Sequence, residues 1–389
     1  MISIVIPTFN DSKFLLEVFE ALENQTFQSF NVVVVDSSTD EDSSNTIKEF
    51  MKHTGLKIKY KKINRAYAGR SMNVGVEIAE DDLIGFLDTK TVPETDWLET
   101  YIKEIHSGYD VIFGITKYEA VTKFQEILKA ASYGEIGHQT VPGTVTKKAV
   151  LNTAGKFIEN TRAAYDQEWK FRIMSSYNFL IPVKISITYN KLPKSLFSTV
   201  KKYLLYTFHL ARVEVEGNLK QTYLSLGLLF SAVIVTRWNF FWEGWDSSPL
   251  FIDDVTKIYL LSVIFLLIIL VSVDRILPSS GPKIFLNALK LIVFSLISYG
   301  VFRWNGSIAG HIVSALLYIP HITKIYLILL ILISTFYRGL FSPLNREVSR
   351  SYLFPFNWIR VGLLGLVLDL VKAPGYFLGA LLSVFKFIR

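Results

Sequence analysis

The chain has no cysteine, which excludes disulfides, thiolate metal sites and cysteine nucleophiles and gives no sign of an oxidising compartment. Histidine is scarce, with six residues and none grouped at metal-ligand spacing. Glycine-rich phosphate loops are also missing. No glycine follows the first strand pattern before Gly55, the glycines near Gly69 and Gly75 lack dinucleotide-fold spacing, and no Gly-Lys-Ser loop occurs. Hydride transfer and ATP hydrolysis therefore fit poorly, and no organic cofactor is implied. There are 41 Lys and Arg against 34 Asp and Glu, a net charge of +7, but no basic stripe interleaved with aromatics, so no nucleic-acid partner is expected. The opening MISIVIPTFN starts a strand pattern at once, without the basic leader and apolar core of a signal segment. On that ground the N-terminal part is expected to be cytoplasmic.

What is present divides in two. A length of 389 residues, half of them apolar, is enough for one domain with a sizeable core and a second unit. Up to about Lys220 the composition is mixed and globular. Beyond it come runs such as IYLLSVIFLLIILVSV and KIYLILLILISTFY, too long for buried strands and able to satisfy their backbone groups in lipid as helices. Spans are expected near 221–238, 255–273, 285–302 and 312–337. The loop after the first carries Glu243, Asp246, Asp253 and Asp254 and no Lys or Arg, whereas the second connection has Arg275 and Lys283 and the segment after the fourth span has Arg338, Arg346 and Arg350. The positive-inside bias makes this a multi-pass membrane protein with its N-terminal domain on the cytoplasmic side. From Trp358 onward, Asp369 and Lys372 followed by Pro374 and Gly375 fit either a broken helix at the interface or a further span. The division expected is a cytoplasmic domain over 1–212 and a membrane domain with four or five helices over 213–389.

Within the first part, ISIVIPTF reads as a strand, DSKFLLEVFEALENQ as a helix and NVVVVD as a strand, and the alternation continues to DLIGFLD. Such βαβ units predict an α/β fold with a mostly parallel central sheet covered on both faces. Ligands then belong at the carboxyl ends of the strands, where Pro7 to Asn10, Asp36 and Asp88 fall. Further on, VPGTVTKKAVLNTAGKF reads as strand, turn and helix, DQEWKFRIMSS as a helix with Asp166 near its start, and FLIPVKISITYN as an extended edge. The stretch KSLFSTVKKYLLYTFHLARVEVEG is amphipathic, and its Lys194, Lys201, Lys202 and Arg212 beside Phe, Leu and Tyr suit a membrane interface.

Four motifs in order, IVIPTFN, VVVVDSSTD, GRSMNVGVEIAEDDLIGFLDTK and DQEWKFRI, resemble those of the family-2 glycosyltransferases of GT-A fold. That family includes polyprenyl-phosphate sugar synthases and polysaccharide-building members, and the resemblance covers roughly the first half of the chain. It implies a GT-A domain that uses a nucleotide-diphosphate sugar and, given the apolar second half, an acceptor in the lipid bilayer: a membrane lipid or a polyprenyl-linked glycan. Carried onto this sequence, it implies that Pro7, Thr8 and Asn10 border the nucleotide and that Asp36 accepts hydrogen bonds from the base. Gly69 would let the backbone approach the donor, Arg70 would face the diphosphate with its rigid fork, and Asn73 would anchor the adjacent loop. Asp166 would take the proton of the attacking hydroxyl, so that one displacement inverts the anomeric centre. Glu168 lies two residues on and does not share that helix face, and its alternative is a pair with Arg172. Pro142, Gly143, Arg162, Glu168 and Trp169 would stand on the acceptor side.

The sequence departs from the family pattern in several places. Ser37 stands where a second Asp is common, Tyr165 takes the first place of the acidic pair, and Tyr189 falls where a histidine is frequent. Family members hold a divalent metal, Mg or Mn, with a second Asp two residues after the first, but here Asp88 is followed by Thr89 and Lys90. Lys90 either substitutes in part for the cation, together with Arg70, or points to solvent and leaves Asp88 as the only metal ligand of the motif. No Gln-x-x-Arg-Trp string follows Asp166, which favours transfer of a single sugar over processive synthesis. The alternative is a non-catalytic scaffold or sugar-nucleotide sensor with a degenerate domain, which Lys90, Ser37 and Tyr165 keep open.

Overall fold

The computed structural model describes residues 1–213 and 331–387, with a few isolated helical positions between them. The apolar stretches at 221–238, 255–273, 285–302 and most of 312–337 otherwise lie outside the described residues.

Runs of β-branched residues make the first strands. β1 (Ile2–Thr8), β2 (Phe30–Asp36), β3 (Ile58–Lys62) and β4 (Leu83–Phe86) alternate with α1 (Ser12–Glu23), α2 (Asp42–His53) and α3 (Ala68–Ile78). β1 lies between β2 and β4, parallel to both, and β3 is parallel to β2. The period-2 rule shows in the packing. Ile4, Ile6, Val32 and Val34 face Leu15, Phe19, Ile47 and Trp97 on one side, whereas Val5, Val33 and Val35 face Met72, Val76 and Trp169 on the other. Burial on both faces is why these strands read as continuous apolar runs.

Beyond β4 the direction changes. β5 (Thr91–Pro93), α4 (Trp97–His106), β6 (Val111–Tyr118), α5 (Lys123–Ser132), β7 (His138–Lys147), α6 (Lys148–Ala154), α7 (Tyr165–Ser176), β8 (Phe179–Leu180) and β9 (Ile187–Tyr189) follow. β7 runs antiparallel to both β4 and β6, and the strand order is β3-β2-β1-β4-β7-β6-β9-β5 with β8 beside β6. The mostly parallel sheet therefore holds for the first four strands, and the whole sheet is mixed. The stretch expected as an extended edge splits around Pro182, which cannot donate to a ladder. Its second half, β9, is interior, paired to β6 and β5.

α8 (Leu196–Leu210) begins at Ser195, whose side chain caps Ser198. After a π-helical turn at Tyr337–Phe341 and two short helical turns, α9 (Asn357–Phe387) runs along α8. Close approach depends on glycine: a Cβ at Gly375 would lie 2.2 Å from Thr207 Oγ1 and 2.7 Å from the Leu204 carbonyl oxygen. Leu364 and Leu368 of α9 pack with Leu128 of α5 and Leu192, and Arg346 donates to the Ala131 carbonyl at 3.0 Å. The expected boundary at 212 thus separates in sequence two helices that are joined in space. α9 continues unbroken through Pro374, unlike the broken helix considered from sequence. Its mid-helix charges are matched, with Asp369 accepting from Arg338 at 2.8 Å and from Lys372 at 3.1 Å. Among the described residues, no helix is long and apolar enough to cross a membrane.

Candidate active site

Because β1, β2, β3 and β4 are parallel, their carboxyl ends and the loops leaving them converge on one side. There they open into a cleft of about 690 Å³ lined by residues 7–9, Ser37, 63–68, 70–72 and 88–90, and closed by residues of the 159–165 segment and by Tyr206 of α8. Two hydroxyls in its wall are orphaned. Thr8 Oγ1 and Ser71 Oγ are buried with no hydrogen-bond partner, the kind of group that a bound polar ligand satisfies.

The candidate donor residues fall into two groups. Pro7, Thr8, Arg70, Asp88 and Lys90 line the cleft, whereas Asn10, Asp36, Gly69 and Asn73 are not part of its lining. Asn10, at φ 52°, ties the loop after β1 to the loop after β2, since its backbone N–H donates to Ser38 Oγ at 2.7 Å. Asp36 is completely buried and satisfied from within. Oδ1 accepts from the Ser38 N–H at 2.8 Å, and Oδ2 accepts from Ser44 Oγ at 3.0 Å, Tyr60 Oη at 2.8 Å and Lys62 Nζ at 2.9 Å. Burial alone would raise its carboxyl, but the bonds from Ser38, Lys62 and Tyr60 outweigh it and hold the group below the ordinary carboxylate value. Gly69 is needed for packing, since a Cβ there would sit 2.2 Å from the Ile158 carbonyl oxygen. Asn73 pins the same loop by donating to the Phe157 carbonyl and accepting from the Phe157 N–H, both at 2.9 Å. Arg70 is exposed and lies 3.4 Å from Glu159.

At the end of β4, Asp88 Oδ1 accepts from the Lys90 N–H at 3.1 Å and from Thr89 Oγ1 at 3.2 Å. The Lys90 ammonium bonds Asp11 Oδ2 at 2.7 Å and stands 5.5 Å from the centre of the Phe14 ring. Lys90 therefore does not point freely to solvent but forms part of the cleft wall. Tyr189 supplies no ligand either, for its hydroxyl donates to the Lys191 carbonyl at 3.2 Å. Among the described residues there is no group of three or more His, Asp or Glu side chains able to hold a metal ion. With an ammonium already paired to Asp11 beside Asp88, the donor set present does not fit a divalent cation.

On the acceptor side, Glu168, Trp169 and Gly143 each pack against or bond to other parts of the protein. Glu168 is taken up by Arg172, which donates to it at 2.6 and 2.9 Å and also braces the carbonyls of Ala154 and Lys156. Trp169 is fully buried against Phe86, Phe113 and Phe157. Gly143, at φ +86°, accepts from Trp97 Nε1 at 2.8 Å inside the sheet, where β6 and β7 are irregular, and Pro142 beside it lies outside the cleft lining. Arg162 does line the cleft. Asp166 sits in the first turn of α7, next to the cleft-lining Tyr165. Burial pushes its carboxyl up, and hydrogen bonds from the backbone N–H groups of Gln167 and Asp166 itself only partly offset this. A carboxyl raised by burial is suited to proton transfer.

Sequence reasoning missed two side chains of α8. Tyr206 lines the cleft, and Lys202, one turn earlier, places its ammonium 5.7 Å from the Tyr189 ring centre and 5.4 Å from that of Tyr206. Burial lowers the Lys202 ammonium to about 8, with Lys90 and Arg162 acting in the same direction and Asp88 opposing. Their i, i+4 spacing, which puts both on one face of a helix, was the available signal.

The family model described as "Glycosyl transferase family 2" matches residues 3–170. The hyaluronan synthase of Pasteurella multocida is 32% identical over 119 residues, which make up 30% of this chain and 12% of that protein. The GalNAc(5)-diNAcBac-PP-undecaprenol beta-1,3-glucosyltransferase of Campylobacter jejuni is 26% identical over 116 residues, 29% of this chain and 37% of that protein. The chain thus spans well under half the length of these curated relatives. Among solved structures, Staphylococcus aureus TarS in complex with UDP-GlcNAc matches with a TM-score of 0.40 and 19% identity, covering 68% of this chain and 71% of that one. The Pyrobaculum calidifontis mannosyltransferase PcManGT, in complex with GDP-Man and Mn2+, matches with a TM-score of 0.41 and 15% identity, covering 76% and 80%.

Proposed function

We propose, from the premise that residues 3–170 are a family-2 glycosyltransferase domain, that the chain transfers a single sugar, with inversion, from a nucleotide-diphosphate sugar to an acceptor held at a membrane. One observation carries this most directly. The cleft at the strand ends joins orphaned hydroxyls on Thr8 and Ser71 to the cations Arg65, Arg70, Lys90 and Arg162, and Asp166 lies beside it. The hydroxyls would meet the polar nucleoside, and the cations would meet the diphosphate.

In the proposed step the acceptor oxygen forms a bond to the anomeric carbon while the bond from that carbon to the diphosphate oxygen breaks. The nucleoside diphosphate leaves with the electron pair, and the hydroxyl proton passes to the Asp166 carboxylate. With a lipid phosphate as acceptor, little deprotonation is needed and Asp166 would orient it. The apolar runs between 221 and 337, together with a relative whose name specifies an undecaprenol-linked substrate, support a lipid-linked acceptor and a multi-pass membrane location with the catalytic domain cytoplasmic. Holding the acceptor in the same membrane as the enzyme raises its effective concentration.

A second reading has one observation in its favour: Lys90 and Asp11 hold the region beside Asp88 where a metal would be sought, which fits a sugar-nucleotide sensor without turnover. Nucleoside-diphosphate release by the purified protein in native lipid extract, across UDP-, GDP- and dTDP-sugars and with and without chelator, separates the two. Transfer predicts lipid-dependent release from one donor, reduced roughly 10²- to 10⁴-fold in Asp166→Asn. Release no greater than that variant's with every donor, with or without divalent metal, would leave the sensor.

A further inference from the structure

A leaving diphosphate must have its negative charge met as its bond to the anomeric carbon breaks, and the donor set around Asp88 does not fit a divalent cation. Lys90 alone is a poor substitute, since its ammonium is already paired with Asp11 at 2.7 Å. Lys202 is in the opposite condition. Among the described residues, no carboxylate forms an ion pair with it, and its ammonium is held only over the faces of Tyr189 and Tyr206. A positive charge kept partly out of water without a counter-ion is costly, and a polyanionic ligand would relieve that cost. Lys202 also belongs electrically to the cleft, where Asp88, Lys90 and Arg162 are the charged groups that act on it.

Its helix is held in place. Gly375 lets α9 approach Thr207, and Tyr203, next to Lys202 in sequence, donates to Ser132 of α5 at 2.9 Å while lying beneath the Lys372 ammonium at 5.3 Å. The side chain is thus presented from a rigid element rather than a mobile loop, which suits a group that must be in position before charge develops.

We propose that Lys202 is a ligand of the donor diphosphate, adding from α8, outside residues 3–170, a fixed positive charge to those of Arg65, Arg70, Lys90 and Arg162 in the cleft. This rests on the nucleotide-sugar reading above. A lipid phosphate would offer the same anionic chemistry, so the two sources are separated in the test. The groups facing Lys202 are Asp88 and Lys90 after β4, Arg162 before α7, and Tyr189 and Tyr206. Burial raises the Tyr189 and Tyr206 hydroxyls above their ordinary value, so neither ionises between pH 7 and 9. Loss of affinity in that window then reports an ammonium: Lys202, whose ordinary value burial lowers to about 8.

The test is isothermal titration of the full chain in lipid nanodiscs with UDP and GDP, with UMP and GMP as controls, with a short-chain prenyl phosphate, and in the presence of chelator. Lys202→Met is expected to weaken diphosphate binding by roughly 10- to 100-fold, as for a lost charge-assisted hydrogen bond, while leaving the monophosphates almost unchanged. Lys202→Arg should restore binding and remove the decline between pH 7 and 9 that the wild type shows. Equal diphosphate affinity in wild type and Lys202→Met overturns the assignment while leaving the transferase reading intact. A loss confined to the prenyl phosphate overturns it in favour of the acceptor. Absence of diphosphate binding by the wild type, with or without metal, removes both the assignment and the donor reading beneath it.

Discussion

Asp36 shows how much a single carboxylate can do without reaching the cleft. Its four hydrogen bonds join the ends of β2 and β3 to the start of α2 through Lys62, Tyr60, Ser44 and Ser38. Because these bonds hold its folded-state carboxyl below the unfolded value, the stabilisation is present in full above about pH 4 and is lost as pH falls through the lowered folded value. Asp36→Asn should therefore cost about 1.5–3 kcal/mol at pH 7, and the gap to the wild type should close progressively below about pH 4. Denaturant unfolding at both pH values checks this, and a gap independent of pH would refute it. The same scale explains which candidates were legible. Glu168 and Arg172 sit four apart on one helix, so their ion pair was foreseeable from spacing. The full burial of Trp169, the in-sheet position of Gly143 and the aim of Lys202 were not, because each depends on neighbours distant in sequence: Phe86, Ile187 and Tyr189 respectively.

Among the elements, the pairing of α8 with α9 matters most to the cleft, because α8 carries Tyr206 and Lys202. Alanine has the higher intrinsic helix propensity, by about 1 kcal/mol over glycine, so Gly375→Ala in an isolated helix would be favourable. Here the added methyl group meets a backbone carbonyl oxygen as well as a hydroxyl, and overpacking of this kind costs roughly 1–3 kcal/mol. The expected net result is a lowered melting temperature and weaker nucleotide binding through displaced α8. Gly55→Ala serves as the control, since nothing lies within 4 Å of a Cβ there. Equal melting temperatures for the two variants would show that the helices have room to separate at no cost. The amphipathic pattern of α8 was read from sequence as a membrane interface. The structure gives part of that face a partner within the chain, α9, and composition has no means of telling a lipid surface from a second apolar helix.

At the scale of the whole molecule, the described C-terminal helices rest on the N-terminal ones. Leu364 and Leu368 complete a cluster with Leu128 and Leu192, while Leu340, Val348 and Val361 complete another with Ala130. A chain ended after Val213 would expose the faces of α5 and α8 that these residues cover. It is expected to melt at a lower temperature than the full chain and to bind an apolar dye, whereas a soluble truncation with an unchanged melting curve would show that the N-terminal part is self-sufficient.

Local pattern was enough to determine the βαβ order, the strands whose ends meet at the cleft and the motifs after β1, β2, β3 and β4, because period and turn residues act over short range. Tertiary structure alone decided the antiparallel course of β7, the internal satisfaction of Asp36, the pairing of Lys90 with Asp11 and the arrival of Lys202 from α8. Each of these depends at least in part on residues far apart along the chain, which are brought together by which surfaces bury one another rather than by any spacing in the sequence.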